Sequence, residues 1–122
     1  MLKKLSSAVL GLMAFLLLTQ SVSAELMLFV GDGCSHCANV EKYMKDYDVA
    51  LKMPIKIYEV WYNETNRALY TKKSEEIGYT GQSVPLLVNG MEYKVGDTPI
   101  ISYFDDIITG KVKVAQGTDA TD

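Results

Sequence analysis

Histidine and tryptophan each occur once in the 122 residues, and cysteine twice. Two cysteines cannot staple a disulfide-built miniprotein. Together with the single histidine they supply three metal ligands, one fewer than structural zinc usually takes. Basic residues are not in excess either. Twelve Lys and Arg stand against 15 Asp and Glu, a formal net charge of −3, which excludes a basic nucleic-acid binder. No segment recurs at a fixed period, so a solenoid is excluded. Three prolines and nine glycines are too few for a collagen-like chain, and 48 % hydrophobic content is too high for a wholly disordered one. What remains is the size and composition of one globular domain.

The first 24 residues differ from the rest. Lys3 and Lys4 precede an uncharged apolar run, densest from Ala8 to Leu18, which ends in Val22-Ser23-Ala24. A short positive start, an apolar centre and a small-residue end are the marks of a cleaved signal peptide. A membrane span needs about 20 apolar residues, and here Thr19, Gln20, Ser21 and Ser23 make the end polar. The expectation is therefore a leader over 1–24, a folded domain over 25–112 and a flexible tail over 113–122. The alternative is an uncleaved membrane anchor over residues 5–24. No cysteine sits at the cut, so a lipid anchor is not indicated. Removal of Lys3 and Lys4 leaves ten basic against 15 acidic residues, a net charge of −5. Export implies a periplasmic or secreted location, where a thiol pair can be oxidised and stay so.

Leu26–Val30 is a continuous apolar run closed by Gly31-Asp32-Gly33, as a buried strand would be. Cys37, Val40, Met44, Tyr47 and Leu51 then recur at helical spacing. Residues 55–61 alternate and are rich in β-branched and aromatic types, which predicts a second strand. Asn63 suits a helix N-cap, followed by a helix to about Ile77 with a thin apolar stripe of Ala68, Leu69 and Ile77. Val84–Val88 and Met91–Val95 flank Asn89-Gly90, a strong hairpin signal. Thr98 can cap a last helix with Pro99 at its first position, carrying Ile100, Ile101, Phe104, Ile107 and Ile108. The order β-α-β-α-β-β-α predicts an α/β domain with a four-stranded mixed sheet flanked by helices.

Both cysteines lie in Cys34-Ser35-His36-Cys37, where the first strand turns into the first helix. Unpaired N–H groups and the macrodipole at a helix N-terminus favour an anion, and such settings lower cysteine pKa. Cys34 at that point is the candidate attacking thiol. Cys37 opens the apolar stripe and is the candidate protected, resolving thiol. His36 can carry a proton beside the thiolate and stabilise it. Ser35 can add a weak hydrogen bond. A disulfide closing so short a loop removes little entropy from the unfolded chain, so a purely structural purpose is weak.

A strand, then Gly-x-Gly-Cys-x-His-Cys, a helix, and a later Val84-Pro85 opening a hairpin strand resemble the thioredoxin superfamily in its compact, glutaredoxin-like form. The resemblance covers nearly all of residues 25–110. It implies a nucleophilic role for Cys34, a resolving role for Cys37, and a cis Pro85 beside them. It further implies that Val84, with Pro85 and Ser35, contacts an extended substrate strand. The inner pair Ser35-His36 is similar to that of disulfide isomerases and periplasmic disulfide oxidases. Two positions depart from the family pattern: Leu28 stands where many thioredoxins bury an acid, and Gly33 precedes Cys34 in place of tryptophan. The implied activity is exported thiol-disulfide exchange on other exported proteins, as oxidant or isomerase before reductant. It needs no cofactor, no nucleic acid and no metal, but does need a redox partner. The alternative is a binding module that holds a soft metal such as copper or zinc.

Overall fold

Leu26–Val30 forms β1, an inner strand of the sheet, in the computed structural model, which describes residues 25–115. Leu26, Leu28 and Phe29 are fully buried and Val30 nearly so. Side chains alternate across a strand, and here both faces are covered, hence the unbroken apolar run. Leu26, Leu28 and Val30 join one cluster, with Val40, Met44, Ile100 and Phe104. Phe29 joins the other, with Val60, Tyr70, Ile77, Leu86 and Val88. Each fully buried large apolar side chain contributes roughly 1.5–3 kcal/mol, so β1 organises the domain from both sides.

The chain continues through α1 (Ser35–Asp46), a short α2 (Val49–Lys52), β2 (Ile55–Glu59), α3 (Glu64–Ile77), β3 (Leu86–Asn89), β4 (Glu92–Val95) and α4 (Asp97–Ile108). The sheet order is β2-β1-β3-β4. β1 pairs in parallel with β2 and antiparallel with β3, and β3 pairs antiparallel with β4. α1 and α4 supply one apolar cluster, and α3 supplies the other. The α/β four-stranded mixed sheet flanked by helices is the one expected from the element order. Among the described residues no helix is long and apolar enough to cross a membrane. The leader expected over 1–24 and residues 116–122 of the expected tail lie outside the described residues.

Local details depart from the sequence pattern, each for a physical reason. The stripe from Cys37 to Leu51 does not belong to one helix. α1 stops at Asp46, and Asp48 adopts a left-handed conformation with φ 50°. That break rotates the next turn, so Val49 and Met53 are buried while Leu51 is exposed; Tyr47, the C-cap of α1, is exposed as well. In α3 the buried residues are Tyr70, Ser74 and Ile77, and Ala68 is exposed. Tyr70 reaches Phe29 edge-on, at 5.3 Å between ring centroids. α4 begins at Asp97, not at Pro99, and Ile100 N–H already donates to Gly96 O at 3.2 Å.

The hairpin turn lies one residue beyond the expected place. Asn89 pairs with Glu92, so Gly90 and Met91 form the loop, with Gly90 at φ +65°. Asn89 is thereby buried, and its side chain has a different task. Its Nδ2 donates to Tyr103 Oη and to Lys113 O, both at 2.9 Å, and its Oδ1 accepts from Ala115 N at 2.6 Å. Val112 and Val114 pack on the core. The tail expected from residue 113 is therefore anchored at least to Ala115.

Candidate functional site

Cys34 and Cys37 form a disulfide at the N-terminus of α1, with Cα atoms 5.2 Å apart. The turn Gly31–Gly33 brings them there: Cys34 N–H donates back to Gly31 O at 3.1 Å, and Gly33 takes φ +92°, open to glycine. Cys34 is the N-cap of α1, and its Sγ accepts the N–H of Cys37 at 3.1 Å. A sulfur in that position meets one of the orphan donors of the first turn. Cys37 is 1 % exposed, whereas Cys34 is only partly buried. Gly31 N–H approaches Cys37 Sγ at 3.5 Å. The two sulfurs thus differ in access as the sequence implied. Ser35 is exposed and, with Cys34, Gly33, Glu59 and Tyr62, lines an open cleft of about 860 Å³.

The Val84–Pro85 bond is cis. Phe29 pairs with Leu86, which sets Pro85 level with the end of β1, where the chain leaves the sheet for the cysteine turn. Val84 and Cys34 pack against the same buried cluster. Gly96 N–H donates to Pro85 O at 3.0 Å, tying this corner to the start of α4. On its other side Val84 lines a cleft of about 540 Å³ walled by Trp61, Tyr70 and Tyr79. Burial pushes the Tyr70 hydroxyl up to about 12. It stays protonated and donates to Ser83 O at 2.8 Å, while Ser83 N–H donates to Tyr79 Oη at 3.0 Å. The loop leading into Val84 is held by these two tyrosines.

His36 is brought to Asp97, the first residue of α4. Its Nδ1 lies 3.0 Å from Asp97 Oδ2. The same oxygen accepts from Asn39 Nδ2 at 2.7 Å, and Oδ1 accepts from Thr98 N–H at 2.8 Å. Asn39, His36 and the Thr98 N–H, in that order, hold the Asp97 carboxyl down at about 2. Glu59 is a second clamp. Its carboxylate accepts N–H groups from Asp32, Trp61, Tyr62 and Asn63, at 2.8–3.2 Å. Desolvation pushes Glu59 up, but the four donors outweigh it and leave it below the usual carboxylate range. Glu59 so ties the cysteine turn to the β2–α3 loop. Trp61 lies directly over Gly31. None of Asp97, Asn39, Glu59 and Trp61 stood out in the sequence; the lone tryptophan at a strand end was the one available signal. Among the described residues no group of three or more His, Cys, Asp or Glu side chains is placed to hold a metal ion.

The sheet order and the helices that flank the sheet make a thioredoxin-like α/β fold. No family model matches the chain, and no curated protein sequence matches it. A crystal structure of an Agrobacterium tumefaciens protein, determined as a structural genomics target, is similar in fold. The TM-score is 0.55 at 17 % identity, over 76 % of this chain. The match spans 48 % of that chain, about half its length. At that identity the likeness concerns the fold alone.

Proposed function

We propose that the domain is a thiol-disulfide oxidoreductase working through Cys34 and Cys37, outside the cytoplasm, on cysteines of other exported proteins. The observation that carries this reading is the unequal access of two bonded sulfurs at a helix N-terminus: Cys34 partly open, Cys37 1 % exposed. A substrate thiolate attacks Cys34 Sγ, the bond to Cys37 breaks, and Cys37 leaves as thiolate. A second substrate thiolate attacks the substrate sulfur of the mixed disulfide and releases Cys34 as thiolate. Two substrate thiols become one disulfide, and a separate redox partner reoxidises the pair. Cys34 leaves readily because its anion meets the Cys37 N–H and the positive end of α1. Val84 supports substrate contact: with Pro85 it lies outside the paired residues of β3, at the cysteine end of the sheet, where an extended strand would pair.

Oxidation or isomerisation is favoured over reduction, because a stabilised thiolate makes the disulfide a stronger oxidant. The test is refolding of a reduced or scrambled disulfide protein by the oxidised domain. Cys34→Ser should abolish turnover, and Cys37→Ser should accumulate a mixed disulfide at Cys34. The potential of the pair should lie above about −200 mV, the range of oxidants and isomerases. Turnover that survives Cys34→Ser would refute the assignment.

A further inference from the structure

His36, the single histidine of the sequence, stands next to Cys37, and its bond to Asp97 is more specific than a charge near a sulfur. Asp97 holds its carboxyl down at about 2; above that pH it is an anion and can only accept. The 3.0 Å contact with His36 Nδ1 is therefore donated by Nδ1–H. In neutral imidazole one nitrogen carries the hydrogen and the other a lone pair. With Nδ1–H committed to Asp97, the lone pair is on Nε2. The His36 side chain is 69 % exposed and Asp97 21 %, so the imidazole is tied to Asp97 and still open to solvent. Asn39 and the Thr98 N–H orient the carboxylate from both sides and add no charge. Asp97 is the charged group bonded to His36 among the described residues, and the Cys34–Cys37 disulfide flanks His36 in the chain.

We propose that Asp97 is a positioning residue for the exchange: it holds His36 in the Nδ1–H form, so that Nε2 takes the proton of an incoming substrate thiol. The proposal rests on the oxidoreductase reading and extends it to substrates whose thiols are mostly protonated at neutral pH. The substrate S–H bond breaks, the proton goes to Nε2, and the thiolate attacks Cys34 Sγ. The Cys34–Cys37 bond breaks, Cys37 takes the electron pair, and solvent removes the proton from Nε2. A second thiol repeats the proton transfer and completes the substrate disulfide, releasing the Cys34 thiolate. The pair gains two electrons and the substrate loses two. Such a base matters for a weakly acidic thiol and little for one already ionised.

The test measures reduction of the full chain's disulfide at pH 7 by two dithiols, in wild type and variants. Dithiothreitol is mostly protonated at that pH; bis(2-mercaptoethyl) sulfone is the more acidic. Asp97→Asn should slow dithiothreitol by about tenfold, less than the roughly 100-fold of full general base catalysis because His36 is open to water. It should slow the sulfone by less than it slows dithiothreitol, with the reduction potential unchanged. Asp97→Glu should restore the dithiothreitol rate. His36→Ala, a change at an exposed side chain, should copy Asp97→Asn and regain rate with added imidazole. Equal slowing of both dithiols, slowing of neither, or a shifted potential that accounts for the change would overturn the positioning role and leave the oxidoreductase reading standing. A wild-type disulfide that reacts with neither dithiol would remove that reading and this inference with it.

Discussion

Gly31→Ala should destabilise the protein through one side chain, and the effect should change sign when that side chain is removed. The φ of Gly31 lies outside the left-handed region, so its backbone accepts alanine. A Cβ there, however, would overlap the indole of Trp61, to which all three nearest atoms belong. Overpacking of this kind costs roughly 1–3 kcal/mol. Trp61 is 45 % exposed and its ring can swing outward, which favours the lower end, about 1 kcal/mol. In a Trp61→Ala background the overlap is gone. What remains is the smaller conformational freedom of alanine in the unfolded chain, which stabilises by about 0.4–1 kcal/mol. The coupling between the two positions is then about 1.5–2 kcal/mol, within the span measured for residues in contact. Urea unfolding of the four proteins, followed by far-UV circular dichroism so that loss of the lone tryptophan does not alter the probe, gives both signs. Gly31→Ala that is neutral or stabilising in the wild type, or equally costly without Trp61, would refute the packing described. The position bears on chemistry as well, because the Gly31 N–H approaches Cys37 Sγ.

Asn89→Ala removes three hydrogen bonds: two fasten Lys113 and Ala115 to the hairpin, and one holds Tyr103 of α4. At roughly 0.5–1.5 kcal/mol each, the loss should be about 1.5–4.5 kcal/mol by urea unfolding, with faster amide exchange at Ala115; a loss under about 0.5 kcal/mol would contradict the anchoring. Stability should also fall in acid. Asp97 sits at about 2 against an ordinary 3.8, and Glu59 and Glu76 are lowered too, Glu76 by Lys73. A depressed carboxylate stabilises fully above its unfolded value and loses that contribution as pH falls through its folded one. Urea midpoints should therefore decline as pH falls from about 4 to about 2, and Asp97→Asn should flatten the decline without abolishing it. Parallel midpoint curves for the two proteins would show that Asp97 gains nothing from its three partners.

The layout of the domain was legible because apolar pattern and turn chemistry agree along most of the chain. A run apolar at every position, such as Leu26–Val30, belongs to a strand covered on both faces, and β1 is that strand. What misled was periodicity carried across a break: Leu51 keeps helical spacing with Cys37, yet one left-handed residue, Asp48, turns the chain before it, and Tyr47 already lies past the end of α1. Asn89-Gly90 signalled the hairpin but not its register, because the buried Asn89 amide is claimed by residues 24 and 26 positions further on. The places of the two cysteines, as cap and first turn, follow from local position alone. His36 was legible as a residue beside the sulfurs, but its bond to Asp97, 61 positions away, has no local signature.

Strand polarity nevertheless brings that partner within reach. β1 ends at the cysteine turn. β2 runs parallel to it, so Glu59 and the following Trp61 arrive at the same end. β3 is antiparallel to β1, so its beginning, with cis Pro85, lies there too. β4 is antiparallel to β3, so its last residue, Val95, pairs with Leu86 and delivers Gly96 and Asp97 to that end. Four segments remote in sequence therefore converge on one edge of the sheet because of strand directions alone. A reader of the order β-α-β-α-β-β-α can list the segments that meet the disulfide before any side chain is placed. Which of their carboxylates turns toward the histidine and which is spent on backbone amides is decided by packing: Glu59 lies where four N–H groups already converge, and Asp97 where the imidazole waits.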